Sequence, residues 1–163
     1  MFSGLSIAPI VNGGYGFRMS QIALLANTAG TLFMVGLIWF VQRVHYPLLA
    51  QVGVEYQISV GHEHQRRTSQ VVGLPMAVEG VSTLVLLIER PDQVFAWLPW
   101  AGAFLLAISL GSTVFLSVPL HQKMISHPSS QIGQNLVATN WPRTVSWTLR
   151  GVICLVMCVQ AIN

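Results

Sequence analysis

The sequence predicts an all-α integral membrane protein, a bundle of four transmembrane helices with both termini on the same side of the bilayer. Charged residues make up 8% of the 163 residues, against about 25% in a typical soluble domain. Hydrophobic residues make up 53% of the chain, and its mean hydropathy is +0.61. Charge-free stretches recur at the length of about 20 residues that crosses a bilayer. A disordered chain, a coiled coil and a collagen-like chain are excluded by this composition.

The chain opens with an expected irregular tail over residues 1–20 that lies at the membrane interface. A glycine-rich stretch interrupts its apolar run, and no basic segment marks a signal peptide. Helix one is predicted at about residues 21–44, because 24 residues between Arg18 and Arg43 carry no charge. Pro47 is expected to close this helix, since proline disrupts helix interiors.

Residues 48–68 form the most polar part of the chain and are predicted as the connection to helix two. The connection can itself be helical, because no proline occurs from Val54 until Pro75. Helix two is predicted at about residues 69–89, with Pro75 kinking it.

The second half of the chain supplies two more spans. Helix three is predicted at about residues 94–120, inside a charge-free stretch that begins with tryptophans typical of a membrane interface. Helix four is predicted at about residues 141–161, with Pro142 in its first turn, where proline is tolerated.

The distribution of basic residues predicts an orientation. The side without the termini carries Arg43, Arg66, Arg67, Lys123 and Arg143, whereas the side of the termini carries Arg18 and Arg90. The positive-inside rule then places the His- and Arg-rich loops in the cytoplasm. Eight cations spread over a membrane protein form no continuous basic stripe. We therefore expect the lipid bilayer, and no nucleic acid, as a partner.

Two charges of opposite sign fall inside the predicted spans. Glu79 and Arg150 each lie about 13–15 Å deep at 1.5 Å per residue, near the bilayer midplane. A charge at that depth costs at least about 2.5 kcal/mol, so each needs a partner. We predict that the two side chains pair. The pair either fixes helix two against helix four, or forms a site that handles protons or anchors a substrate.

Polar side chains also follow one face of helix three. Ser109, Thr113, Ser117 and His121 repeat every four residues. One interpretation is helix packing, in which the hydroxyls bond to carbonyls of the preceding turn. The other is a polar substrate groove that descends from His121 towards the buried pair.

Polar residues from four separate segments should meet at the end of the bundle opposite the termini. His121, His62 and His64 are the candidate acid or base groups there, since imidazole titrates near neutral pH. Arg143 and Asn140 are candidates for stabilising a developing oxyanion or enolate.

A metal is an open alternative at the same end, where the possible ligands are His45, His62, His64 and His121. A haem would need facing axial ligands, and His45 with His121 is the easiest pair. The sequence contains no His-Glu-x-x-His motif and no Glu-x-x-His placed inside a helical bundle. The cofactor is therefore left unassigned.

Three segments carry a family pattern. The end of helix one reads Gly36-Leu-Ile-Trp-Phe-Val-Gln-Arg-Val-His45-Tyr-Pro47-Leu-Leu, helix two contains Pro75-x-x-x-Glu79, and helix four opens with Thr139-Asn140-Trp-Pro-Arg143-Thr144. Together they resemble the anthrone-oxygenase-like family of small four-helix membrane proteins, over about residues 30–144. The resemblance implies a compact four-helix bundle and oxygenation of a hydrophobic aromatic substrate. Pro47, Asn140 and Arg143 carry over from the family by position, whereas the resemblance assigns no feature to the additional histidines, Glu79 or Arg150.

These sequence features lead to two alternative hypotheses about the function, which belong to different classes. The first is an oxidoreductase- or oxygenase-like enzyme that acts on a lipophilic small molecule at the His/Arg/Asn end, with Glu79 and Arg150 as the floor of the site. The second is a non-catalytic accessory subunit of a larger membrane complex. The two differ in where the polar groups should point, into a closed cavity for an enzyme or outward onto a partner chain for a subunit.

Overall fold

The computed structural model describes residues 18–162, and within that range the fold is all-α, with four long helices and no strand. We number them α1 (Met19–Leu49), α2 (Val54–Ile88), α3 (Trp97–Ser126) and α4 (Ser130–Ile162). Each is long and apolar enough to cross a membrane. The fold class predicted from the sequence is therefore confirmed, with the membrane assignment resting on length and composition.

The helices run up and down, so the start of α1 and the end of α4 share one end of the bundle, which we call end A. There the Arg18 guanidinium lies 3.0 Å from the Asp92 carboxylate in the α2–α3 loop. The Phe95 backbone N–H donates to Gln160 Oε1 at 3.1 Å. At the opposite end, end B, Gln57 Nε2 of α2 donates to the Ser129 carbonyl in the α3–α4 loop at 3.1 Å.

The interior alternates between apolar and polar layers from end A to end B. An apolar cluster around Leu98 and Met157 fills end A, and the Glu79–Arg150 pair lies beyond it. A second apolar cluster of Met34, Ile38 and Trp147 follows. End B closes on a third apolar cluster that consists of Tyr46, Leu49, Met124, Ile132 and Leu136.

The outer surface is strongly apolar along the spans. Ile88 is 89% exposed, Phe115 76% and Leu74 75%, while charged Glu79 and Arg150 are buried inside. Large exposed apolar surface with polar groups turned inward is typical of helices that face lipid.

Two π-helical turns interrupt the helices near end B. Val41–His45 lies in α1 and Thr113–Ser117 in α3. In each, the next residue's N–H bonds to the carbonyl five residues earlier, from Tyr46 to Val41 and from Val118 to Thr113. A proline follows each turn by two residues, Pro47 and Pro119. Because proline has no N–H, a widened turn lets the helix pass it.

The helices extend further than the sequence predicted. Pro47 does not close α1, which continues to Leu49. Most of the polar connection over 48–68 is helix, because α2 begins at Val54, fifteen residues before the predicted position 69. α3 spans Trp97–Ser126, not 94–120, and α4 begins at Ser130, not 141. These polar extensions form because their inner faces bury apolar side chains in the end-B cluster. Of the predicted tail over 1–20, residues 1–17 lie outside the described range, and Met19 and Ser20 are already helical.

Two glycines permit close approaches between helices. A Cβ atom on Gly30 of α1 would lie 3.2 Å from Glu79 Cγ and 3.4 Å from the Pro75 carbonyl oxygen. A Cβ atom on Gly133 would overlap Ala50 Cα, which the backbone cannot accommodate. The glycine at 133 therefore lets the start of α4 pack against the end of α1.

Candidate functional site

The buried charges at mid-bundle form an ion pair. Arg150 Nε lies 3.2 Å from Glu79 Oε1, and both side chains are at most 1% exposed. The sequence prediction that the two groups pair, made from their matching depth, agrees with this geometry.

Both carboxylate oxygens of Glu79 and both terminal nitrogens of Arg150 have further hydrogen-bond partners. Thr31 Oγ1 donates to Glu79 Oε1 at 2.7 Å, and Trp147 Nε1 donates to Glu79 Oε2 at 3.1 Å. Arg150 Nη2 donates to Thr83 Oγ1 at 2.6 Å, and Arg150 Nη1 donates to the Gly102 carbonyl. A buried ion pair is tolerated when its remaining polar atoms are satisfied in this way. The arrangement favours the interpretation of a structural pair that joins all four helices.

Tyr46 lies at the centre of the polar site near end B. It directly follows the π-helical turn of α1, is 4% exposed, and was not singled out from the sequence. Arg143 Nη2 donates to the Tyr46 hydroxyl oxygen at 3.1 Å. On its other side, that hydroxyl lies 3.1 Å from His121 Nε2. Arg143 is a donor only, so the tyrosine proton is free to be donated to His121.

The hydrogen bond between Tyr46 and His121 bears on which tautomer the His121 ring adopts. Within residues 18–162 the Tyr46 hydroxyl has no hydrogen-bond partner besides Arg143 and His121. With His121 Nε2 as the acceptor, the hydroxyl proton has a partner, and the neutral ring then carries its own proton on Nδ1.

Three imidazole rings cluster next to Tyr46. The ring centroids of His45 and His64 are 4.8 Å apart, and those of His64 and His121 are 4.7 Å apart. His45 Nε2 lies 2.8 Å from His64 Nδ1, which is also 3.2 Å from the Thr68 hydroxyl. Tyr46, His45 and His121 all lie within a few residues of a π-helical turn, a feature that is frequent at functional sites.

A hydrogen-bonded group of amides holds Arg143 in place. Arg143 Nη2 donates to Asn140 Oδ1, and Asn140 Nδ2 donates to Gln42 Oε1 at 2.8 Å. Gln42 Nε2 in turn donates to the Val137 carbonyl at 3.1 Å. Asn140 sits where the two segments of α4 join, between Thr139 and Trp141. It therefore acts on the site through Arg143.

These polar groups form one end of a cavity of about 490 Å³. Such a volume is within the range of small-molecule sites in proteins. The opposite end of the cavity is apolar and is lined by Met34, Ile38, Val72, Met76 and Trp147. Its polar end is lined by His45, Tyr46, His64, Thr68, Ser117, His121 and Arg143. Exposed apolar side chains, including Phe40 and Val71, form part of its rim.

Three buried polar atoms of residues that line the cavity have no hydrogen-bond partner within the described residues. They are Ser117 Oγ, His121 Nδ1 and Arg143 Nε. A buried polar atom left unpaired costs about 1–3 kcal/mol, so such atoms often mark a functional position. None of the described residues that line this cavity is Asp or Glu. The wall therefore offers hydrogen-bond donors and positive charge.

Some of the site residues predicted from the sequence line the cavity, and others lie outside it. His64, His121 and Arg143 line the cavity together with His45, whereas His62 is exposed on the outer face of α2. On the helix-three face, Thr113 and Ser117 line the cavity, but Ser109 does not. Ser109 and Thr113 bond back to carbonyls four residues earlier, at 3.1 and 2.8 Å, as the packing interpretation expects. Ser117 makes no such bond.

The geometry of the histidines bears on the open question of a metal. Within residues 18–162, no group of three or more His, Cys, Asp or Glu side chains is placed to hold a metal ion. The rings of His45, His64 and His121 lie against one another, and the nitrogens of the first two face each other in a hydrogen bond.

Comparison with known proteins gives no assignment. No protein-family model, curated protein or solved structure matches the chain. The resemblance to the anthrone-oxygenase-like family stays a prediction from three short segments.

Proposed function

We propose that this protein is a multi-pass membrane enzyme that binds a lipophilic small molecule in the end-B cavity and transfers a proton to or from it. The observation that carries the proposal is the cavity lining, in which Ser117, His121 and Arg143 each have a buried polar atom without a partner next to an apolar chamber. A molecule with an apolar body and an oxygen-bearing head group matches both parts of that wall.

The polar groups could carry out general acid–base chemistry. His121 Nδ1–H donates its proton to a carbon of the enolate form of the substrate while Nε2 takes the proton of Tyr46, 3.1 Å away. The phenolate oxygen that remains is stabilised by the Arg143 guanidinium, 3.1 Å from it. The reverse transfer restores the resting state. The oxygenation that the family resemblance implies would be a further step and stays a prediction.

The inward direction of the polar groups favours a bound small molecule over a docking face. Tyr46, Asn140 and Arg143 are all buried, at 4%, 0% and 7% exposure. An accessory subunit would instead present such groups to a partner chain. This distinction supports the enzyme as the better of the two functions.

The orientation of the bundle belongs to the same proposal. We place end B in the cytoplasm, because it carries five of the basic residues and end A carries Arg18 and Arg90. Cysteines introduced at Ser129 in the end-B loop and Gln93 in the end-A loop test it with a membrane-impermeant maleimide on intact cells. We expect labelling at position 93 and protection at position 129. Labelling in the reverse pattern would show that end B faces outward.

Uptake of deuterium from the solvent by a bound molecule tests the proposed proton transfer. We expect lipophilic molecules that co-purify with the protein in a mild non-ionic detergent to take up deuterium at a carbon-bound position when they are incubated with it in D₂O. Mass spectrometry after back-exchange of O–H and N–H groups measures this uptake, with heat-denatured protein as the control. Equal uptake with active and denatured protein would contradict proton transfer as the function.

A further inference from the structure

The polar end of the cavity contains more donors than acid–base chemistry requires. His121 Nδ1 suffices for the proton transfer, yet Ser117 Oγ and Arg143 Nε also lie buried on the wall without partners. Arg143 is 7% exposed and Ser117 2%. Two unpartnered donors from different helices, one of them cationic, are suited to a head group with two acceptor oxygens.

The charges around the cavity favour an anionic head group. None of the described lining residues is acidic, while Arg143 and Arg67 line it. Arg67 shares the Glu63 carboxylate with Arg66, whose Nη2 lies 2.7 Å from it, so these three side chains carry a net charge of +1. The Arg143 guanidinium, by contrast, has no carboxylate partner within the described salt bridges.

The polar end of the cavity points towards end B and its apolar end points towards the interior of the bundle. Its polar end lies at His64 and its apolar end at Met76, twelve residues further along α2, or about 18 Å at 1.5 Å per residue. Met76 lies near the middle of α2, whereas His64 lies ten residues from the end-B terminus of that helix at Val54. An amphiphile in this leaflet has the same arrangement, with its head group towards the interface and its chain towards the midplane.

We propose that the substrate is a lipophilic carboxylate, held by its carboxylate group at Arg143 and Ser117 on the cavity wall, with its reacting carbon on the side of His121. This inference rests on the proposed function, since it names the substrate class of the same site. Its chain fills the apolar chamber between Met34, Ile38, Val72 and Met76. The exposed apolar rim at Phe40 and Val71 lets the molecule enter from the surrounding lipid.

Equilibrium dialysis of radiolabelled laurate against the full-length protein in phosphatidylcholine nanodiscs tests this, with empty nanodiscs as background. We expect saturable binding of laurate, and at least tenfold weaker binding of 1-dodecanol and dodecylamine. Ser117→Ala should weaken laurate binding roughly tenfold to a hundredfold, the effect of losing a hydrogen bond to a charged group. Ser109→Ala, on the same helix but outside the cavity, should bind laurate like the wild type.

Thermal unfolding of the ligand-free variants separates binding from folding. Because the Ser117 hydroxyl is buried and unbonded, Ser117→Ala should not lower the melting temperature. Equal binding of laurate and dodecanol, or unchanged laurate binding by Ser117→Ala, would overturn the carboxylate assignment. If neither laurate nor the neutral and cationic probes bind but the solvent exchange persists, only this inference fails. If binding of all probes and solvent exchange are both absent, the carboxylate assignment and the proposed function both fail.

Discussion

Replacing Arg150 with leucine is expected to lower the free energy of unfolding by about 3–5 kcal/mol, because it strands the Glu79 carboxylate in the bundle interior. Glu79→Gln should destabilise by a similar mechanism, since Arg150 then loses its 3.2 Å charged partner. The double variant Glu79→Gln/Arg150→Leu should be less destabilised than the sum of the two. Reversible unfolding in mixed detergent micelles measures all three.

An exposed ion pair provides the control for this prediction. Glu63 bonds to Arg66 and Arg67 on the surface of α2, and exposed pairs contribute little to stability. Glu63→Gln should therefore unfold close to the wild type. Strictly additive effects of the Glu79 and Arg150 changes would show that the two side chains are not energetically coupled.

Removal of the proposed proton donor should have the largest effect on activity. His121→Ala is expected to slow deuterium uptake by the co-purified molecule about 10²- to 10⁴-fold, the usual contribution of a general acid or base. Tyr46→Phe should slow it as well, because it removes the proton that is donated to Nε2 at 3.1 Å. The rate of uptake in D₂O, at equal protein concentration, measures both.

Helix content and a second histidine control this measurement. His121 makes its hydrogen bond through Nε2 to Tyr46, and its Nδ1 is unpartnered. We therefore expect His121→Ala to keep the helical circular dichroism of the wild type. His127 is exposed in the α3–α4 loop, so His127→Ala should retain the full rate. A His121→Ala protein with wild-type uptake would remove this residue from the mechanism.

The buried pair and the fold class could be predicted from the sequence because both follow from one-dimensional rules. Hydropathy and charge-free length define spans, and depth along a span matches Glu79 with Arg150. The helix ends could not be predicted in this way. Pro47 and Pro119 are each preceded by a widened turn that the sequence does not reveal, and the helices continue beyond them.

The polar cluster was predicted in part. His64, His121 and Arg143 were expected at end B because they lie at the same ends of their helices. Tyr46 and Gln42 were missed, since a tyrosine or glutamine near a membrane interface is ordinary and only the three-dimensional packing shows their bonds to Arg143 and Asn140. His62 differs from His64 by two positions, which turns it to the opposite side of α2.

The cavity itself could not be predicted. An empty volume depends on which side chains fail to fill the space between helices, and this is fixed by packing. Pro75 in α2 is the relevant sequence signal, because it removes the N–H that the Val71 carbonyl would accept within the helix. The lining residues Val71, Val72 and Met76 surround that proline.

The central claim, that the end-B cavity holds a lipophilic molecule, is tested most directly by comparing what co-purifies with two tryptophan variants. Met76→Trp fills the apolar end of the cavity, whereas Leu74→Trp lies on the same helix and points outward, at 75% exposure. Mass spectrometry of organic extracts from wild type and both variants gives the amounts of each bound molecule. We predict a molecule that is present with wild type and Leu74→Trp and lost with Met76→Trp. Identical extracts from all three, with both variants folded, would contradict the account.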